Sequence, residues 1–397
     1  MITDVYFPRI NGVSTSIGTF IRELVKLGHH VTLIAPRYGE DDDKEDQDFE
    51  ILRIHSRKVP FDPEDRLMKR NLVDLHSKHL ARQQFDILHI QTPFIAHYAG
   101  IRLARRLNIP VVETYHTYFE EYLYHYLRFM PKKSMQWLAR RFTRSQSKAV
   151  DTIVVPSTLM HKVLVAYGVK APMHIIPTGL ENDRFEGGDG SRFREKYNIS
   201  LSRPVLCHVG RSAHEKNIDF LLEMLVQVKK TIPDILLMLA GEGPAQQHLR
   251  NMSSSLGLNN NIRFMNYLDR DTELKGCYRA GDVFVFASRT ETQGLVLLEA
   301  MASGVPVVST AVLGTVDILK PEKGALIAEE DVEDFAHKVI ALLRDDELRH
   351  DKSVEAVDYA RTWSAEDTTQ RLIELYEGVV NSSSTISLAM QQASETL

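Results

Sequence analysis

The stretch DVFVFASRTETQGLVLLEAMASG (Asp282–Gly304) reads as a strand, a loop and a helix in succession. Asp282–Ser288 is a short apolar run bounded by turn formers, the pattern of a buried parallel strand. Thr292-Gln293-Gly294 is a turn, and Leu295 to Ala302 has helical spacing, with Leu297, Leu298 and Met301 on one side. Two carboxylates stand eight positions apart, Glu291 in the loop and Glu299 inside the helix. The first amides of a helix lack intrahelical partners and favour a phosphate. A carboxylate deeper in the helix suits two adjacent hydroxyls, and one in the loop can grip a group on the other side of the phosphates. The competing reading makes Glu291 a helix cap and Glu299 a surface charge.

Working outward, short Val/Ile/Leu runs alternate with helical stretches almost from end to end. HVTLIAP, EILRIHS, FDILHIQ, PVVETYH, DTIVVPS and MHIIPTG fall in the first half, and PVLCHVG, DILLMLAG, IRFMNYL, DVFVFAS, VPVVST and GALIAEE in the second. Continuous apolar strands between helices imply parallel sheets covered on both faces. Six runs per half predict an α/β chain of two doubly wound, Rossmann-like domains facing a central cleft. A single strand–helix barrel would also alternate, but its usual size is about 250 residues and it would not break in the middle. The break lies in TGLENDRFEGGDG (Thr178–Gly190), which is rich in Gly and Asp. The predicted division is 1–178, 179–362, a helix over 363–380, and a disordered polar tail over 381–397. Glu40–Asp48 is an acidic, solvated insertion. Only Met1-Ile2-Thr3 precede Asp4, so either the first strand is very short or the start has been trimmed.

Composition excludes several classes. The chain has 397 residues, 43% hydrophobic and 25% charged, as expected of globular domains. A net charge of −5 argues against a general nucleic-acid binder. Cys207 and Cys277 lie far apart in sequence, which indicates neither a zinc site nor a disulfide framework. No apolar run reaches about 18 residues, and MITDVYFPRI lacks a signal core. A cytoplasmic enzyme, with any membrane contact peripheral, is the expectation.

Other loops carry candidate chemistry. In HVGRSAHEKN (His208–Asn217), Gly210 allows a tight turn, and Arg211 and Lys216 flank a loop that opens the helix Ile218–Lys229. A fork donor and a point charge at a helix start make a diphosphate clamp. LAGEGP (Leu239–Pro244) ends a second strand with Gly241-Glu242-Gly243, ready for close approach of a ligand. In FPRINGVSTS (Phe7–Ser16), Asn11-Gly12 can take positive φ ahead of a helix over Ile17–Leu27. His116 follows the strand PVVET, at the strand end where open parallel sheets hold ligands. His116 and Glu120 have a spacing that suits a metal, but a third ligand is missing nearby.

Together these residues resemble the retaining nucleotide-sugar glycosyltransferases of the GT-B fold, group 1 and family 4, and within them the bacterial lipid glucosyl- and mannosyltransferases. The resemblance covers roughly residues 1 to 380 and implies that the helix over 363–380 crosses back onto the first domain. It rests on Glu291 and Glu299 in ETQGLVLLEAMASGVPVV, on Arg211 and Lys216, on Asn11-Gly12 in place of a common Gly-Gly, and on His116. Thr292-Gln293-Gly294 departs from the family's usual Ser-Phe-Gly but keeps the glycine. The resemblance implies that Arg211 and Lys216 hold the donor diphosphate, Glu299 the ribose and Glu291 the sugar hydroxyls, with His116 beside the sugar and β-phosphate. Gly12, Gly241, Glu242, Gln293, Gly294 and Leu295 complete the donor set. It implies a nucleotide sugar as co-substrate, with UDP-glucose favoured, and no cofactor or metal.

The acceptor side rests on a different pattern. Between Glu121 and Asp151 there are seven cations and no acidic residue. On a helix from Lys132, Met135, Leu138, Ala139, Phe142 and Ala149 form one face. Lys133, Arg140, Arg141, Arg144 and Lys148 form the other, with Trp137 among them. Trp within a basic stripe suits an anionic membrane surface, and a solvated basic face is the competing reading. Asn11, Tyr118 and Tyr122 would face the acceptor, a membrane lipid such as diacylglycerol. Alternatives are a soluble or polysaccharide acceptor, a sugar-nucleotide epimerase of the same fold, and a non-catalytic sugar-nucleotide-binding module.

Overall fold

Two α/β units make up the chain in the computed structural model, which describes residues 1–39, 48–59, 62–116, 132–270 and 272–395. Met1–Gly179 and Ala365–Leu397 belong to one unit, and Leu180–Ser364 to the other.

The first unit contains β1 (Thr32–Pro36), β2 (Glu50–Ile54), β3 (Ser56–Val59), β4 (Asp62–Met68), β5 (Leu88–Ile90), β6 (Val111–Thr114), β7 (Thr152–Val155) and β8 (Met173–Ile175). β1 pairs with β2, and β5 through β8 pair in sequence, all parallel. Ile2 joins the two sets through parallel bridges to Ile34 and Ile90. Ile2 is fully buried, and its peptide and those of its two neighbours bond β1 and the β5 segment. The antiparallel ribbon of β3 and β4 is an addition that the apolar runs do not reveal, because its residues are largely polar.

The helix predicted over 17–27 begins at Gly12 and ends at Lys26. Asn11 is its N-cap with extended φ of −158°, and the Asn11 and Ser14 side chains bond each other's backbone amides in a capping box. Gly12 is the first helical residue and does not take the positive φ that Asn-Gly suggests. The tail over 381–397 also departs from expectation, since one helix runs from Ala365 to Glu395. Its polar composition reads as disorder, yet no Gly or Pro follows Gly378, and Ala, Leu, Met, Gln and Glu sustain helix. Near its start, Leu372 is buried with Phe20, Val112, Val154 and Ile176. Tyr376 meets Nδ1 of His89 on β5 at 2.5 Å, while His89 Nε2 meets Thr114 Oγ1 at 2.6 Å.

In the second unit, β9 (Val205–Val209), β10 (Leu236–Ala240), β11 (Ile262–Met265), β12 (Val283–Phe286), β13 (Val307–Thr310) and β14 (Ala325–Ala328) correspond one for one to the six apolar runs. They form a parallel sheet in the order β11-β10-β9-β12-β13-β14. Alternate side chains feed two cores: Cys207, Met238 and Phe284 enter one, and Leu206, Leu237 and Val285 the other. Cys207 and Cys277, distant in sequence, are buried free thiols with Sγ atoms 3.9 Å apart.

Tyr376→Phe removes the partner of a buried His89 nitrogen. A loss of about 1–3 kcal/mol is expected, read as an earlier urea midpoint of the first unit by hydrogen exchange. An unchanged midpoint would show that this contact does not fasten the last helix.

Candidate active site

Strand order reverses between β9 and β12, and open parallel sheets bind ligands outside the carboxyl ends of strands at such a point. Arg211 and Lys216 follow β9, and Glu291 follows β12, so the order brings together loops some 75 residues apart in sequence. A 3-10 turn, His214–Lys216, and Asn217 at φ 55° lead into the helix Ile218–Thr231. Lys216 Nζ donates to Glu291 Oε1, both side chains being about four-fifths buried. The same two loops are tied by Arg289 N to Glu215 O at 3.3 Å. Glu330, beyond β14, accepts from both Asn217 and Arg289.

Glu291 does not cap the following helix. The N-cap of Leu295–Ala302 is Gly294, at φ 96° and without a side-chain cap. That turn needs glycine, because an added Cβ would stand 3.0 Å from Thr315 Cγ2 at a φ that side chains avoid. Gln293 is buried, and the backbone carbonyl of Glu291 accepts from Gly314 N at 2.8 Å. The loop carboxylate is therefore aimed by backbone on one side and by Lys216 on the other.

Glu299 is not a solvated surface charge either. It is the fifth residue of its helix and 8% exposed. Arg270 Nη2 donates to Oε1, and the Tyr278 hydroxyl donates to Oε2 at 2.9 Å. Burial, with the Glu299 charge adding to it, pushes the Tyr278 phenol well above its ordinary range, so it stays a donor. Sequence reasoning misses Arg270 and Tyr278. Neither has a motif, and the helix Leu274–Ala280 brings Tyr278 to Glu299 only through packing.

Gly241 and Gly243 serve the neighbouring loop. A Cβ on Gly241 would lie 2.2 Å from Gly210 O, and one on Gly243 2.4 Å from Ser212 O. Ser212 N donates to Glu242 O at 3.0 Å, so the β10 loop braces the segment carrying Arg211. Glu242 Oε1 also accepts from Tyr267 N at 3.4 Å.

The remaining candidates belong to the first unit. His116 lies just beyond β6, and its Nε2 meets Gln91 Oε1 at 3.0 Å. Burial lowers its pKa from 6.5 to about 4, which leaves the ring neutral at physiological pH. Gln91, itself buried beyond β5, is a partner that the sequence does not announce. Asn11 and Gly12 form the helix start already described. Tyr118, Glu120 and Tyr122 lie outside the described residues. On the helix Lys132–Ser147, Met135 and Ala139 are buried, while Lys133, Arg140, Arg141 and Arg144 are exposed. Leu138, expected on the apolar face, is exposed, because its position falls at the edge of a narrow stripe. Trp137 is 59% exposed, with the Arg141 guanidinium 5.7 Å from its ring centroid. No group of three or more His, Cys, Asp or Glu among the described residues could hold a metal. No helix among them is long and apolar enough to cross a membrane.

Residues 10–184 match the family model described as Glycosyltransferase Family 4, and residues 189–357 the one described as Glycosyl transferases group 1. The alpha-monoglucosyldiacylglycerol synthase of Streptococcus pneumoniae is 34% identical over 317 residues, covering 78% of this chain and 70% of that protein. A GDP-mannose-dependent alpha-mannosyltransferase of Mycobacterium tuberculosis is 24% identical over 384 residues, covering 96% of each. Among solved structures, sucrose-phosphate synthase from Thermosynechococcus elongatus superposes with a TM-score of 0.78 at 18% identity, covering 96% of this chain and 98% of that one. The chain belongs to the group 1, family 4 glycosyltransferases, and its fold is GT-B.

Proposed function

We propose that this glycosyltransferase is a retaining hexosyltransferase that moves glucose from UDP-glucose to a hydroxyl of a membrane lipid such as diacylglycerol. The observation that carries the reading is the Lys216–Glu291 pair at the reversal of strand order, beside a helix start without a side-chain cap. In the proposed reaction the bond between the sugar's anomeric carbon and the diphosphate oxygen breaks, giving an oxocarbenium-like centre. Arg211, Lys216 and the amides at Gly294 and Leu295 meet the charge that grows on the leaving diphosphate. These groups do that work without a metal. Glu291 holds sugar hydroxyls and Glu299 the ribose. The acceptor oxygen bonds the anomeric carbon on the face that the diphosphate leaves and passes its proton to the departing diphosphate oxygen, which retains configuration without a covalent intermediate.

Lipid as acceptor is supported by the relative named alpha-monoglucosyldiacylglycerol synthase and by the exposed basic face around Trp137. That face would hold the enzyme peripherally on the inner surface of the cytoplasmic membrane. The relative named for GDP-mannose supports a second reading, in which mannose is the sugar and GDP the leaving group. An epimerase or a simple binder has less support, because paired groups aimed at both sugar and phosphate suit transfer.

Glu291→Gln and Lys216→Ala should each lower transfer by about 10²-fold or more, measured as sugar moved from labelled donor to extracted lipid. Near wild-type turnover in either variant would overturn the assignment. Wild-type protein should sediment with anionic liposomes at low salt, and Arg140→Glu with Arg141→Glu should abolish this. Absence of binding, or binding that survives the charge reversal, would remove the membrane face.

A further inference from the structure

We propose that Arg270 and Tyr278 are positioning residues that set the Glu299 carboxylate to read the ribose, and so make the enzyme select ribonucleotide over 2′-deoxyribonucleotide donors. This rests on the reading of Glu299 as the ribose ligand. The geometry is specific about how the two residues divide the task. An ionised carboxylate offers about four lone-pair sites. Arg270 occupies one on Oε1 and Tyr278 one on Oε2, which leaves one site on each oxygen. Two adjacent hydroxyls need that pair of vacancies, one on each oxygen and side by side.

Tyr278 fixes the plane. Its side chain is 3% exposed, its ring centroid is 5.7 Å from that of Phe284, and it sits on the helix that precedes β12. Arg270 fixes Oε1 as Tyr278 fixes Oε2, and without both bonds the carboxylate is free to turn away from the two hydroxyls. The Arg270 side chain is four-fifths buried and stands on the loop after β11, so it reaches Glu299 from outside the helix pair.

The test measures binding of UDP and 2′-deoxy-UDP, and of GDP and 2′-deoxy-GDP, by calorimetry, with donor KM and kcat from transfer assays. Wild-type protein should prefer the ribo form of whichever base it binds by about tenfold or more. Arg270→Met and Tyr278→Phe should bring that ratio close to one and raise donor KM, with kcat changed much less. Arg270→Lys should restore most of the preference. Folded variants that keep the wild-type ratio would overturn the proposal, and should Tyr278→Phe fail to fold, the two Arg270 variants decide alone. A wild-type enzyme that binds both forms equally overturns this inference and leaves the donor site standing. One that binds no nucleoside diphosphate overturns both.

Discussion

The reversal of strand order between β9 and β12 is the constraint on which the second unit depends. Chain leaving β9 crosses to β10 and chain leaving β12 crosses to β13, on opposite sides of the reversal. Open parallel sheets hold ligands outside the carboxyl ends of the strands at such a reversal. The Lys216–Glu291 ion pair bridges the loops after β9 and β12, and Glu330 and Glu215 tie them a second and a third time. The apolar content of six short strands thus determines where a polar site can stand.

The two carboxylates of the site each arrive with a cation, Glu291 with Lys216 and Glu299 with Arg270. Partly buried ion pairs contribute little net stability, because desolvation offsets much of the attraction. Their value here is geometric. Each cation fixes the direction of a carboxylate, and Lys216 is held at the spot where the proposed reaction needs positive charge. The glycines act at one remove: Gly241 and Gly243 let the β10 loop press against Gly210 and Ser212, which stiffens the segment carrying Arg211.

Much of this was readable in the residues, and the failures have definable causes. All six strands of the second unit could be read because strands covered on both faces are apolar without interruption. The helix Leu295–Ala302 could be read to its ends because Gly294 precedes it and Ser303-Gly304 follow. Asn11-Gly12 misleads because the same dipeptide serves a turn or a capped helix start, and Ser14 decides between them. The last helix misleads because polar composition resembles disorder when nothing breaks the helix. Arg270 and Tyr278 are invisible because 29 and 21 residues separate them from Glu299, and no local periodicity encodes such a contact.

A structure determined with UDP or GDP bound tests the central claim most directly. The diphosphate should lie between the loops after β9 and β12, within hydrogen-bond distance of Arg211, Lys216 and an amide at Gly294 or Leu295, with both ribose hydroxyls on Glu299. A nucleotide bound elsewhere in the second unit, with Lys216 and Glu299 untouched, would contradict it.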